Sequence, residues 1–286
     1  MINIKVTGNK SHNYRGLIIT ICSLLLAFAF MIPLIWMVFV SLRHEGDVIE
    51  NVLSWFKPPY TFTSYPKVLR TSGMSRWIFN SLFISVICTS ITLTISAMAA
   101  FALSKIKGKY TNSVLLFILF GLMLPGEATI IPLYQVVRHL NLLDSYAGII
   151  LPSLAASPAA PMAVIILKGF FDGVPQEFID SAQIDGCGVY KSFVSIILPL
   201  AKPALASIAI LTFIANWNNF LWPFLCVTSD IFYTIPLGIP IFNSNYTNGY
   251  ILPMTVNAIA SLPVILVFVL FERQIIKGVT MSGIKG

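Results

Sequence analysis

"LIITICSLLLAFAFMIPLIWMVFV", residues 17 to 40, holds no charged residue and no histidine, and its length decides the architecture. A helix needs about 20 mostly apolar residues to cross the hydrocarbon core of a bilayer. This run exceeds that, overshoots the roughly 7–15 apolar residues of a signal peptide, and shows no evident small-residue cleavage site. It therefore reads as an uncleaved first span. The rest of the chain agrees: of 286 residues 57% are hydrophobic and only 10% charged, with a mean hydropathy of +0.84, where soluble domains carry about 25% charged residues. Six segments meet the length criterion, at about 17–41, 77–103, 113–137, 146–170, 194–225 and 252–276. The expected fold is an all-α integral membrane protein of six transmembrane helices in one domain.

Prolines at 125, 132, 152, 158, 161 and 263, and at 199, 203 and 223 in the long fifth segment, predict non-ideal helices. Broken backbone at membrane depth is tolerated where protein or a wet cavity surrounds it; simple tolerance of proline in membrane helices remains the alternative at each site.

The net charge is +7, from 18 Lys and Arg against 11 Asp and Glu. In a membrane protein such an excess reports loop topology, and no basic run interleaves with aromatics in the way nucleic-acid binding requires. With both termini cytoplasmic, Lys5, Lys10, Arg15, the cluster "SKIKGKY" (Lys105, Lys107, Lys109) and Lys168, Lys191, Lys202, Arg273, Lys277 and Lys285 fall inside. Arg43, Lys57, Lys67, Arg70, Arg76 and Arg138 fall outside. That assignment puts most basic residues on the cytoplasmic side and makes 171–193 a cytoplasmic loop. Cys22, Cys88, Cys187 and Cys226 are singly placed, with no CxxC and no histidine at ligand spacing, so neither a metal site nor a disulfide framework follows.

Within that loop stands "PQEFIDSAQIDGCGVYKSFVSIILPLAKPAL", residues 175 to 205. Pro175 suits a first helical position, Glu177 and Asp180 place negative charge near a helix N-terminus, and Gly186 supplies a left-handed C-terminal residue. The pattern predicts a helix of about ten residues, about 15 Å long, with Phe178, Ile179, Ser181 and Ala182 forming one low-relief, mostly apolar face. Such a helix cannot span a bilayer, and its acidic polar side would not hold anionic lipid. A protein groove is one reading of its partner; an interfacial connector between two spans is the other.

The same residues resemble the cytoplasmic EAA loop of permease subunits from bacterial binding-protein-dependent ABC importers. The pattern Glu-Ala-Ala, Asp-Gly-Ala and a closing Leu-Pro reads here Asp180-Ser181-Ala182, Asp185-Gly186-Cys187 and Leu198-Pro199, with Pro203 beyond. The substitutions keep charge and small size. "RWIFNSLFIS", "LMLPGEATIIPLYQVVRHLNLLDSYAGIILP", "NWNNFLWPF" and "IIKGVTMSGIKG" extend the likeness across most of the chain, toward the carbohydrate branch and the maltose-type six-span permease.

The resemblance implies the type I importer permease fold and a location in the bacterial cytoplasmic membrane. It implies a second six-span permease, usually a different chain, two ATPase subunits and an extracytoplasmic solute-binding protein as partners. This chain holds no G-x-x-x-x-G-K-[ST] run, so ATP and Mg would be used by the ATPase subunits, with no cofactor here and no catalytic residue. Glu177, Phe178, Asp180, Ser181, Ala182, Asp185 and Gly186 would couple to an ATPase. The polar, cationic C-terminal segment reads as a solvated tail by default; in maltose-type relatives the corresponding tail reaches toward the ATPase interface, so Lys277, Gly278, Gly283 and Lys285 are further contact candidates.

For the solute path, Asn216, Asn218 and Asn219 lie in one turn beside Trp217 and Trp222. Amides and aromatic faces suit sugar hydroxyls and ring C–H surfaces; the alternative is that these amides join helices through hydrogen bonds. Asn257 carries the same two readings, and Glu127 reads as a hydrogen-bonding or gate residue rather than part of a proton relay. The aromatic segment "WFKPPYTFTSYP" reads as a packed cap over the spans or as surface for the solute-binding protein. Rival solutes are a polyol or a sugar phosphate. An ion-coupled secondary transporter would need internal repeats and midplane ion ligands, which the sequence does not show.

Overall fold

The computed structural model describes residues 10–47, 58–71, 73–106, 108–155, 159–245 and 249–282. The described residues are helical with short connections and contain no strand. In chain order the helices are α1 (Lys10–Ser41), α2 (Ser64–Thr71), α3 (Met74–Phe101), α4 (Thr111–Met123), α5 (Gly126–His139), α6 (Tyr146–Ala155) and α7 (Ala159–Asp172). They continue as α8 (Glu177–Ile184), α9 (Val189–Ser192), α10 (Leu198–Leu200), α11 (Lys202–Trp217), α12 (Leu221–Cys226), α13 (Ile235–Asn245) and α14 (Ile251–Ser282). Wider π turns extend α3 over Ala102–Ile106 and join α9 to α10 over Phe193–Ile197.

Three helical runs are long and apolar enough to cross a membrane unbroken: Gly16–Ser41, Met74–Ile106 and Ile251–Glu272. They reproduce the expected first, second and sixth spans. Three bent pairs bring the number to six. The expected span 113–137 is not one helix, because α4 and α5 meet at 96°. Pro125 disfavours helical backbone at the residue before it, and Leu124 is extended at φ −78°, ψ 124°. The expected span 194–225 is likewise broken. The chain turns by 79° between Val189–Leu200 and α11, at Ala201 between Pro199 and Pro203. It breaks again between Trp217 and Leu221. In the fourth segment α6 and α7 are bent by 45°.

Two compact units emerge, residues 1–68 with 246–259 and residues 69–245 with 260–286. In the first, the segment after α1 folds back on its end. Thr61 N donates to Leu42 O (2.7 Å), the hydroxyls of Ser41 and Tyr65 share a 2.7 Å hydrogen bond, and the rings of Phe39 and Tyr60 lie 5.8 Å apart. Tyr60 and Tyr65 thus contact the end of α1 while Phe62 is exposed; Trp55, Phe56 and Lys57 lie outside the described residues. Thr255 Oγ1 donates to Ser41 O (3.3 Å) from the start of α14.

The second unit is organised around α3, which packs against α6, α7, α11 and α13. Its buried side chains include Ser81, Ser85, Thr89, Thr92, Ser96, Ala97 and Ala100, small residues that let neighbouring helices approach closely. With its π turn α3 runs 33 residues, about 50 Å at about 1.5 Å per residue, so its two ends define two distinct sites. At the N-terminal end, fully buried Asn80 donates through Nδ2 to Ile231 O and Tyr233 O (both 2.8 Å) and accepts from Tyr146 OH (2.7 Å). Ser81 Oγ accepts from Ile235 N (2.8 Å), and Asp144 Oδ1 accepts from Thr228 N (3.0 Å) and Ser229 N (2.8 Å). One amide therefore ties three chain segments together. Replacing Asn80 with Leu strands two carbonyls and a phenol, each unmet group costing about 1–3 kcal/mol when buried. We expect a loss of about 2–3 kcal/mol after partial relaxation, read as a lowered midpoint in thermal unfolding of the detergent-solubilised protein.

Candidate functional site

The other end of α3 carries the short helix. Eight residues are too few to hold a helix in water unaided, since isolated helices below about 12–15 residues are marginal. Three local features compensate. Glu177 and Asp180 lie in the first turn of α8, where negative charge meets the positive end of the helix dipole. Gln176 O accepts from Ile179 N (2.8 Å) and Asp180 N (3.1 Å). At the C-terminus Gly186 is left-handed at φ 78°, Cys187 N donates to Ala182 O (2.8 Å) and Gly186 N donates to Gln183 O (3.0 Å). This paired closure satisfies carbonyls that would otherwise be left bare. The glycine signal in the sequence is therefore realised; Pro175 lies just before the helix, with Gln176 as the N-cap instead.

Packing supplies the rest. Ile179 is 4% exposed and Ala182 6%. Ile179 joins a core with Phe101, Leu103, Leu167, Phe171, Phe193 and Ile197, drawn from α3, α7 and the π turn after α9, with the rings of Phe101 and Phe193 5.0 Å apart. Burial of such a side chain stabilises by about 1.5–3 kcal/mol. The expected single face of Phe178, Ile179, Ser181 and Ala182 is thus corrected. Residues three apart share a side of a helix, and Ile179 and Ala182 are the pair that turns inward.

The outward side carries Glu177, Asp180, Ser181 and Asp185 together with Phe178, half exposed, and Ile184, which is 87% exposed. Val189 and Tyr190 follow, both exposed. Apolar side chains ringed by carboxylates are the makeup of a protein-binding surface, and sequence reasoning had not singled out Ile184. Its signal was available: an isoleucine four residues after Asp180 at the end of a polar helix.

The root of α8 is also fastened. Ser104 Oγ donates to Asp172 Oδ1 (2.7 Å), Lys168 Nζ pairs with Asp172 Oδ2 (2.7 Å), and Lys105 Nζ donates to Val174 O (2.5 Å). Lys105 and Lys168 had been read from the sequence only as topology markers, and Asp172 and Ser104 not at all.

The remaining candidates fall elsewhere. Asn216 Nδ2 donates to Thr212 O (2.8 Å), its own helix four residues back, and Trp217 is buried and stacks on Phe213 at 5.8 Å. Asn218 is the exposed C-cap of α11, its N–H bonded to Ile214 O (3.0 Å), and Asn219 N donates to Asn216 O (3.2 Å). The three asparagines therefore mark where the fifth segment stops being helical. Trp222 instead donates its indole N–H to Gly148 O (2.9 Å) in the core. Asn257 belongs to the other compact unit and donates to Pro253 O (2.9 Å). Glu127 is exposed in the first turn of α5, just past the 96° bend. Lys277 and Gly278 fall in the backbone of α14, but their side chains lie outside the described residues, as do Gly283 and Lys285 altogether. Among the described residues no group of three or more His, Cys, Asp or Glu could hold a metal ion.

Apolar runs of bilayer length and broken helices, with an anchored polar helix between two of them, define a multi-pass helical membrane protein. Residues 92–281 match the family described as "Binding-protein-dependent transport system inner membrane component", and the chain belongs to that family. It is similar to the arabinooligosaccharides transport system permease protein AraQ of Halalkalibacterium halodurans, 33% identical over 272 residues, covering 94% of this chain and 96% of that one. It is also similar to the trehalose/maltose transport system permease protein MalG of Thermococcus litoralis, 30% identical over 277 residues, covering 95% and 98%. Its fold matches a chain in the crystal structure of a bacterial ABC transporter involved in the import of the acidic polysaccharide alginate, with a TM-score of 0.76 at 21% identity, over 94% of this chain and 99% of that one.

Proposed function

We propose that this chain is one permease half of an ATP-driven carbohydrate importer, and that α8 is the element through which an ATPase drives it. The observation that carries the coupling role is the division of α8: Ile179 and Ala182 lock it to the helix core, while Ile184, Phe178 and the carboxylates stay exposed. A helix fixed on one side and presenting exposed apolar and acidic groups on the other is suited to receive a force from a second protein. The assembly that fits is two six-span permeases, two ATPase subunits using ATP and Mg, and an extracytoplasmic solute-binding protein, in the bacterial cytoplasmic membrane with α8 and both termini cytoplasmic. The named cargoes of the relatives, arabinooligosaccharides and trehalose or maltose, support a sugar as solute.

The test is purification of the tagged chain from its own cells in mild detergent. Co-purification of an ATPase and a second permease is expected, followed by selective binding of oligosaccharides over polyols and sugar phosphates by the captured solute-binding protein. Uptake in vesicles that survives a proton uncoupler while ATP is maintained fits this reading; uptake that collapses with the ion gradient refutes it. For the solute path, Asn218→Leu is expected to lower uptake about ten-fold while leaving co-purification unchanged, since one lost polar contact of about 1.4 kcal/mol scales a rate by that factor. Unchanged uptake with a lowered unfolding midpoint assigns the asparagines to helix packing.

A further inference from the structure

The connection from α7 to α8 is only Gly173, Val174, Pro175 and Gln176, and a free glycine-containing link there would bend rather than transmit motion. Every part of it is held. Gly173 N donates to Phe170 O (3.1 Å) and Val174 N to Phe171 O (3.0 Å), continuing the turn of α7. Pro175 fixes its own φ, and Gln176 O receives the N–H groups of Ile179 and Asp180 in the first turn of α8. The side-chain bonds then reach across to a different helix. Ser104, 1% exposed, donates to Asp172 Oδ1, and Lys105 reaches Val174 O. Both donors sit in the π turn that ends α3, whose wider spiral offsets them from the register of the preceding helix. Asp172 Oδ2 is occupied by Lys168 of its own helix.

We propose that Ser104, Lys105 and Asp172 are positioning residues that make α3, α7 and α8 one mechanical body, so that displacing α8 moves the whole length of α3. This rests on the reading of α8 as the coupling helix, but the clamp itself is a property of this chain alone. Two packed elements shift together when the bonds between them outlast the motion, and a hinge appears where they do not. Asp172 is the centre, because its carboxylate accepts from two helices at once. Lys105 acts on the loop beyond it.

The test reads rigidity within the chain, in the full complex. Cys22 and Cys187 are replaced by Ser, and spin labels are placed at Gln183 on α8 and Ile95 on α3, both exposed. In the otherwise native chain a single narrow distance distribution is expected, unchanged between nucleotide-free and ATP-vanadate states. The Asp172→Ala, Lys105→Met double variant is expected to broaden it about two-fold and to make it nucleotide-dependent. Asp172→Asn, which still accepts from Ser104, should restore most of the narrowness, a rescue that a merely structural role in folding would not give. Should the double variant fail to accumulate, Ser104→Ala removes one bond only and should broaden the distribution partially. Distributions unchanged in all variants overturn the clamp. If the native chain captures no ATPase, the docking reading falls, while the comparison of widths between native chain and variants still decides the clamp.

Discussion

Gly148→Val is expected to eliminate folded protein from the membrane fraction. A Cβ built at Gly148 stands 2.0 Å from Leu142 O and 3.0 Å from Cys226 Sγ. The first of these is backbone, so no rotamer change relieves it. The carbonyl of the same glycine accepts the indole N–H of buried Trp222 at 2.9 Å, and Leu142, Ile149, Trp222 and Cys226 meet in one core with Ile84, Cys88, Val137 and Leu237. Any shift of α6 that frees the new side chain therefore breaks that bond and opens the core. Overpacking costs typically 1–3 kcal/mol where neighbours can move; here backbone and a hydrogen-bonded indole oppose movement together, and we expect about 4 kcal/mol or more, a large part of a typical native stability of about 5–15 kcal/mol. Size-exclusion profiles of a fluorescent fusion in detergent read the outcome. A monodisperse peak of native size and unchanged unfolding midpoint would show that the helices part here without cost.

That crowding has no signature in the sequence, where Gly148 is one glycine among 17. The spans without a break were legible because an apolar run needs no context: the runs Gly16–Ser41, Met74–Ile106 and Ile251–Glu272 begin and end within four residues of where the sequence places them. Breaks were legible as a tendency of the proline-rich segments and not in position or angle. Pro125, Pro199 and Pro203 stand at breaks, but Pro132, Pro152 and Pro263, flagged on the same ground, lie inside helices, so which proline ends a helix and whether the chain turns by 45° or 96° depends on what the next helix packs against. Asn80 stood in a recognised block without a role, since its partners Tyr146, Ile231 and Tyr233 are far along the chain. For α8 the sequence supplied length, charge and the Gly186 stop, all local matters. Which side faces inward was decided by Phe171, Phe193 and Leu103, and a non-local core cannot be read from the helix's own pattern.

The inward side of α8 also makes the docking prediction sharper than charge alone would. Asp180→Lys and Ile184→Asp are each expected to reduce ATP-dependent uptake to background and to weaken co-purification of the ATPase, with membrane insertion and unfolding midpoint preserved. Both side chains are exposed and Ile184 touches little of its own chain, so neither change opens the core. Truncation of a central anchor in a protein interface costs about 2–4 kcal/mol, and on the proposed docking a carboxylate in place of Ile184 would add the desolvation of an unpaired charge. Asp180→Lys carries a confounding effect, because a cation in the first turn opposes the helix dipole by about 0.3–1 kcal/mol and removes the acceptor for Gln176 Nε2 (3.3 Å). Asp180→Asn separates the two: it keeps an acceptor and adds no positive charge, so it should retain most uptake if reversed charge at the partner surface is the cause. Ile179→Ala makes the opposite case. It cuts the anchor and spares the outward face, so it should lower the unfolding midpoint and loosen α8 while leaving the contact chemistry intact. If Ile184→Asp and Asp180→Lys leave both uptake and co-purification at the native level, the outward face of α8 is not where force enters, and the exposed pair Val189 and Tyr190 is the next surface to change.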